Sequence, residues 1–169
     1  MSAAPYRRLV LVRHAKSSWD YAELSDFERP LNARGRRDAP VMAQRLAAAL
    51  KPPLRLVSSP ALRAITTAHA FAEALGQRHQ DVRLEPRIYE ATPAALLSLV
   101  QQLDDADAQV LLFGHNPGFS DLALLLAESP IAEMPTCAVL TLRFEVGGWR
   151  EVKPRSAGIE SYDFPKKSG

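Results

Sequence analysis

The sequence predicts an α/β fold: a three-layer α/β/α sandwich with a mainly parallel central sheet and a C-terminal antiparallel hairpin. Three observations predict it. Short apolar runs at residues 9–12, 54–57 and 109–113 read as buried strands. Longer Ala-, Arg- and Leu-rich stretches between them read as helices. The two kinds of segment alternate along the chain, which is the order that joins parallel strands by helical crossovers.

The first strand, Leu9-Val10-Leu11-Val12, is apolar and short, and Arg13 and His14 stand at its C-terminal end. Residues 19–31 are polar and broken by Pro30, so they read as a long loop. A helix is expected over 33–50, stopped by Lys51-Pro52-Pro53. After the second strand, Ser59 reads as the N-cap and Pro60 as the first position of another helix, which runs to about Leu75 and ends at Gly76. Residues 82–84 read as a short strand. A third helix is expected over 93–103, capped by Thr92. The strand at 109–113 runs into Gly114-His115, and Asn116-Pro117 caps and opens a fourth helix through Ala127. Residues 138–146 alternate as a strand, Gly147-Gly148 reads as a two-residue turn, and 149–153 as the returning strand. From Pro154 onward the chain is polar without periodicity, so 155–169 reads as a tail of a single domain spanning 1–169.

Composition narrows the function classes. With 169 residues the chain is long enough for a core that needs no metal or disulfide staple. A hydrophobic fraction of 47%, a charged fraction of 24% and a net charge of +2 are those of a globular protein without a nucleic-acid-binding stripe. Cys137 is the only cysteine, so no intramolecular disulfide forms. Residues 1–8 are short and polar and do not read as a signal peptide, and the apolar run 122–127 is too short for a bilayer. A cytoplasmic location follows as the expectation.

In an open α/β sheet, ligands bind beyond the carboxyl ends of the strands. Three segments put polar groups there: Arg13-His14, Ser58-Ser59 with Arg63 one turn on, and His115-Asn116. Two arginines and two histidines converging on one crevice suit a phosphoryl group. A guanidinium is permanently charged and grips two phosphate oxygens at once. A helix N-terminus adds backbone donors and a favourable dipole. A neutral imidazole attacks phosphorus and carries the group as an N-phosphoryl intermediate, and the charge supplied by arginines makes a metal or other cofactor unnecessary. Several other readings fail. No glycine-rich nucleotide loop and no metalloprotease histidine pair is present. Cys137 and Arg143 have the cysteine-to-arginine spacing of tyrosine phosphatases, but Ala-Val-Leu-Thr-Leu between them favours a strand, which would hold the two roughly 20 Å apart.

Arg13-His14-Ala15 resembles the Arg-His-Gly signature of the histidine phosphatase, or phosphoglycerate mutase-like, superfamily. Ser59-Pro60-Ala61-Leu62-Arg63-Ala64 with Thr67-Ala68 resembles its second motif, Gly114-His115 its third, and Pro30-Leu31-Asn32 with Gly35 its loop-to-helix connection. These matches fall in the family's order over residues 8–118. The short chain, with Arg13-His14-Ala15-Lys16-Ser17-Ser18-Trp19, is similar to the SixA-type phosphohistidine phosphatase branch. The resemblance implies a phosphoglycerate mutase-like fold, His14 as nucleophile, and Arg13, Arg63 and His115 as the phosphate pocket, with no metal in the cycle. Ala15 stands where the family has glycine, which asks for an ordinary backbone conformation at that position.

The resulting expectation is a phosphatase acting on a protein phosphohistidine, for instance on a histidine phosphotransfer domain, with neither nucleic acid nor membrane as partner. One alternative keeps the class and changes the substrate to a small phosphorylated metabolite, an ester or anhydride, with Glu90 as general acid. Another is an inactive phosphoprotein-binding module. Lys16, Ser17 and Asn116 are candidate phosphate or substrate contacts. Lys16 and Ser17 also fit a solvated loop, and Glu90 also fits a surface ion pair. His69 and His79 read as surface histidines, and Trp19 and Trp149 as packing or substrate-rim residues.

Overall fold

Side-chain alternation along the first strand decides how the layers assemble. In the computed structural model, which describes residues 4–128 and 131–167, β1 (Arg7–Arg13) sends Leu9 and Leu11 into one apolar cluster and Val10 and Val12 into another. The first cluster is closed by Leu96 and Leu99 of α3 (Pro93–Gln101) and by Phe119 and Leu122 of α4 (Gly118–Ala127). The second is closed by Met42 and Leu46 of α1 (Ala33–Ala49) and by Ala68 and Phe71 of α2 (Leu62–Ala74). A sheet buried on both faces between two helix pairs is the three-layer sandwich that the sequence predicts.

The remaining strands are β2 (Arg55–Ser58), β3 (Arg83–Leu84), β4 (Gln109–Gly114), β5 (Val139–Phe144) and β6 (Ala157–Asp163). Their order across the sheet is β3-β2-β4-β1-β5-β6. β2 is parallel to β3 and β4, and β4 is parallel to β1. β5 is antiparallel to β1 and to β6, so it alone among these strands runs against the rest. The carboxyl ends of β1, β2 and β4 therefore lie side by side, with Arg13 of β1 opposite Gly114 of β4. Among the described residues no helix is long and apolar enough to cross a membrane.

Two expectations about elements are corrected. The antiparallel pair exists, but its second strand is β6, not residues 149–153, and the segment read as a tail supplies it. Trp149 is the physical reason. Its ring is fully buried and its indole N–H donates to the Asp107 carbonyl at 2.7 Å, while its backbone N–H donates to the Asp105 carboxylate at 2.8 Å. These contacts draw 149–151 into a 3-10 turn away from the sheet, closed by Glu151, which accepts from the N–H groups of Gly147 and Gly148. A buried indole must satisfy its donor, and that demand outweighs the glycine pair as a hairpin signal. The second correction concerns α2. It starts at Leu62, not at Pro60, because the Ser59 N–H still bonds to the Phe113 carbonyl at 2.9 Å and so prolongs the sheet beyond β2.

The approach to the site is fixed by backbone contacts. Asn32 caps α1 by accepting from the Gly35 N–H at 2.8 Å. A side chain on Gly35 would overlap the Lys16 carbonyl, so only glycine lets α1 start against the loop that leaves β1. On the other side of that loop the Ser18 N–H donates to the Pro30 carbonyl at 2.8 Å.

Candidate active site

His14 follows directly on β1 and is 6% exposed. Its Nδ1 lies 2.7 Å from the carbonyl oxygen of Ala15. A carbonyl has no proton to give, so in the neutral ring Nδ1 carries the hydrogen and Nε2 carries the lone pair. Burial drives the His14 imidazole down to about 3. The bond to Ala15 opposes this drop, while the nearby His115, Arg63 and Arg13 reinforce it. At neutral pH the ring is therefore an uncharged base with a free Nε2.

Ala15 has an ordinary backbone conformation, since among the described residues the non-glycine positions with positive φ are Glu90, Glu128, Cys137 and Arg155. Its N–H donates to the Thr67 hydroxyl at 3.0 Å, and that hydroxyl donates to the Arg63 carbonyl at 2.8 Å. Thr67 in the second motif thus ties the residue after the histidine to the first turns of α2.

His115 follows β4. Its ring centroid is 5.3 Å from that of His14 at 51°, and its Nε2 lies 2.7 Å from the Ser59 hydroxyl. Ser59 therefore orients a histidine, while its oxygen also accepts from the Ala61 N–H at 3.2 Å. Burial, then the charge of Arg63, pushes the His115 ring down to about 4.

Arg13 and Arg63 complete the set. Arg13 donates to the Met134 carbonyl at 2.8 Å. Arg63, 5% exposed, donates from Nη1 to the Asp26 carbonyl at 2.6 Å and from Nη2 to the Asp26 carboxylate at 3.0 Å. The Nε of Arg13, the Nε of Arg63 and Nδ1 of His115 are buried with no hydrogen-bond partner among the described residues. A buried polar group without a partner costs about 1–3 kcal/mol. Arg13 and Arg63 bring two permanent positive charges to one pocket beside two histidines, which suits it to an anion.

These side chains line a single cavity of about 600 Å³ together with Lys16, Ser17, Glu90 and Asn116. The last four differ in what is left free. Lys16 is exposed. Ser17 is buried and its hydroxyl accepts from Arg29 at 2.7 Å. Asn116 braces a turn: its Oδ1 accepts from the N–H and hydroxyl of Ser120, and its Nδ2 donates to the Met134 carbonyl. Glu90 is exposed at the rim in a left-handed conformation, φ 57°, with neither the ion pair nor the hydrogen bond that a surface role would bring among the described residues.

Three further residues belong to the cavity wall and were not singled out from sequence: Asp26, Arg29 and Tyr89. The Tyr89 hydroxyl donates to the Asp26 carboxylate at 2.7 Å, and the bond pushes the phenol up to about 12. Burial works to raise the Asp26 carboxyl, but bonds from Tyr89, Arg63 and Arg29 outweigh it and hold the group at about 2. The one signal for them in the sequence is Arg29-Pro30, two residues before the Asn32 cap of α1, inside a loop otherwise without pattern. Cys137 is fully buried, burial pushes its thiol up to about 12, and Arg143 lies on β5, so the pair forms no phosphate loop. His69 and His79 stack on each other at 4.0 Å away from this cavity. Among the described residues no three His, Cys, Asp or Glu side chains cluster to hold a metal ion.

Comparison with known proteins gives the family and the fold. The model of the histidine phosphatase superfamily (branch 1) matches residues 9–102. An uncharacterized protein of Mycobacterium tuberculosis strain H37Rv is 31% identical over 166 residues, covering 92% of this chain and 100% of the relative. A solved structure from Agrobacterium tumefaciens, assigned as the phosphohistidine phosphatase SixA, is 26% identical and superposes with a TM-score of 0.76 over 94% of this chain and 98% of its own. The protein histidine phosphatase SixA in complex with tungstate is 23% identical, with a TM-score of 0.76 over 94% and 97% of the two chains.

Proposed function

Because the chain belongs to the histidine phosphatase superfamily (branch 1), we propose that it hydrolyses phosphohistidine on a protein through a covalent phospho-His14 intermediate. The observation that carries this reading is the 2.7 Å contact from His14 Nδ1 to the Ala15 carbonyl, which leaves Nε2 unprotonated in a buried, cationic pocket.

In the first step His14 Nε2 forms a bond to phosphorus as the P–N bond to the substrate imidazole breaks. The ring-protonated substrate leaves as neutral imidazole, so no general acid is needed. In the second step water attacks phosphorus, His14 is released and inorganic phosphate forms. Arg13 and Arg63 supply charge to the equatorial oxygens. A phosphoryl dianion beside His115 raises the affinity of that ring for a proton, and the protonated ring then donates to an oxygen. The likeness to proteins assigned as SixA, one of them with the tetrahedral oxyanion tungstate, supports the substrate class.

A second reading, hydrolysis of small phosphate esters, has one observation in its favour. Glu90 lies at the cavity rim in a strained backbone conformation of the kind that collects at functional sites. It would protonate an alkoxide leaving group, which an imidazole does not require. Turnover measured side by side on a phosphohistidine protein and on sugar phosphates tests the proposal. Faster turnover of the protein by orders of magnitude is expected. Preference for the sugar phosphates, lost in Glu90→Gln, would establish the second reading instead.

A further inference from the structure

Among the described residues Trp19 is the most exposed of the large apolar side chains, at 74%, yet the chain holds it in place. The Arg29 guanidinium lies over its ring, 3.6 Å from the centroid. Arg29 is itself buried, donating to the Ser17 hydroxyl at 2.7 Å, the Ser18 carbonyl at 3.3 Å and the Asp26 carboxylate at 3.2 Å. The backbone on either side of the indole is also pinned: the Ser18 N–H bonds to the Pro30 carbonyl, and the Asp20 N–H to the Ser18 hydroxyl. A cation over an aromatic face contributes about 0.5–1 kcal/mol at an exposed site, which orients the ring without covering its other side. Trp149, by contrast, is fully buried.

Burying the exposed indole would have stabilised the fold, so its fixed outward orientation does not serve packing. Trp19 lines the same cavity as His14 and His115. At about 600 Å³ that cavity has the size of sites for whole small molecules and leaves room beyond a phosphoryl group.

We propose that Trp19 is a specificity-determining residue whose free face stacks on a planar ring carried by the substrate next to its phosphoryl group. This inference rests on reading the pocket as a phosphoryl site. The ligand chemistry it selects is an aromatic or heteroaromatic ring bonded to phosphorus directly or through one atom, whether the imidazole of a phosphohistidine or the ring of an aryl phosphate. Arg29 acts through Trp19 by presenting the ring pre-oriented, which lowers the ordering cost of binding.

The test compares phenylphosphonate with methylphosphonate, two non-hydrolysable anions that differ in the ring. Calorimetric affinities are measured on the full chain and on Trp19→Ala and Trp19→Phe. Phenylphosphonate is expected to bind about fivefold more tightly than methylphosphonate to the unaltered protein, the size of one aromatic pair. The ratio should fall to about one in Trp19→Ala and be largely kept in Trp19→Phe. Phenylphosphonate should also shield the exposed indole from acrylamide quenching. A ratio of one in the unaltered protein, or a ratio that survives in Trp19→Ala, overturns the stacking role and leaves the phosphoryl pocket standing. Failure of both anions to bind removes the pocket reading and this inference with it. Two pairs of donors, N-phosphohistidine against phosphoramidate and phenyl phosphate against ethyl phosphate, separate the two sources of the ring by which pair shows the greater Trp19-dependent difference in KM.

Discussion

Arg63 is bound twice by a single residue, Asp26: its Nη1 to the backbone carbonyl at 2.6 Å and its Nη2 to the carboxylate at 3.0 Å. The grip fixes the guanidinium plane at the wall of the cavity and joins α2 to the loop that crosses above it. Tyr89 donates to the same carboxylate oxygen, Oδ2, at 2.7 Å, and Phe27 packs edge-on against Tyr89 at 5.2 Å. Asp26 therefore acts on the anion site through Arg63, as a positioning residue.

Removing Arg63 should cost more than removing the carboxylate that holds it. Arg63→Ala is expected to lower kcat/KM by roughly a hundredfold, about 3 kcal/mol, the scale of one lost charge-stabilising donor. Asp26→Asn keeps the backbone carbonyl that binds Nη1, so a loss of about tenfold or less is expected. Steady-state kinetics on one phosphoryl donor decide the order. A loss in Asp26→Asn equal to that in Arg63→Ala would make Asp26 a participant in the chemistry.

Stability should fall with acidification in a window set by the two site histidines. An unfolded histidine takes up a proton near pH 6.5. In the fold, burial holds His115 at about 4 and His14 at about 3. Above pH 6.5 both states are neutral and the contribution is fully present. Between about 6.5 and 4 the unfolded chain binds protons that the native site refuses, so stability is lost as pH falls. Asp26 and Glu85, both lowered to about 2, add a further loss that begins as pH falls through the ordinary carboxylate range and runs down to about 2. Urea midpoints at pH 7, 5.5 and 4.5 should decline in the unaltered protein and decline less in His115→Gln. A flat series would show that the rings are not held neutral.

The C-terminal strand should be indispensable. β6 covers the β5 edge, and Tyr162 and Phe164 pack against the apolar cluster that contains Trp149. Ending the chain after Pro154 strips both and leaves an unpaired strand edge. A loss of several kcal/mol, read as a lowered thermal midpoint or as aggregation, is expected. An unchanged midpoint would mean that β6 adds nothing to the fold.

That strand was hidden in the sequence for a physical reason. Ala-Gly-Ile-Glu-Ser-Tyr-Asp lies at a sheet edge and is mostly exposed, so it shows no apolar run and only a broken alternation. β1 and β4 were legible because both faces are buried, which forces continuous apolar residues and puts Arg13, His14 and His115 at readable ends. Thr92-Pro93 marked α3 through local chemistry alone, since Thr92 caps it by accepting from the Ala95 N–H. Asp26, Arg29 and Tyr89 come from segments without a period. Their partners are fixed by tertiary contact, and no local signal encodes that Asp26 meets Arg63 across 37 positions.

Trapping the phosphoenzyme tests most directly whether His14 carries the phosphoryl group. The protein is mixed with a labelled phosphoryl donor, quenched at alkaline pH, where phosphohistidine survives, and mapped by peptide mass. One phosphoryl group, on His14, is expected in the unaltered chain, with no label and no turnover in His14→Ala. Turnover that persists in His14→Ala, or a label found on His115 instead, would contradict that role.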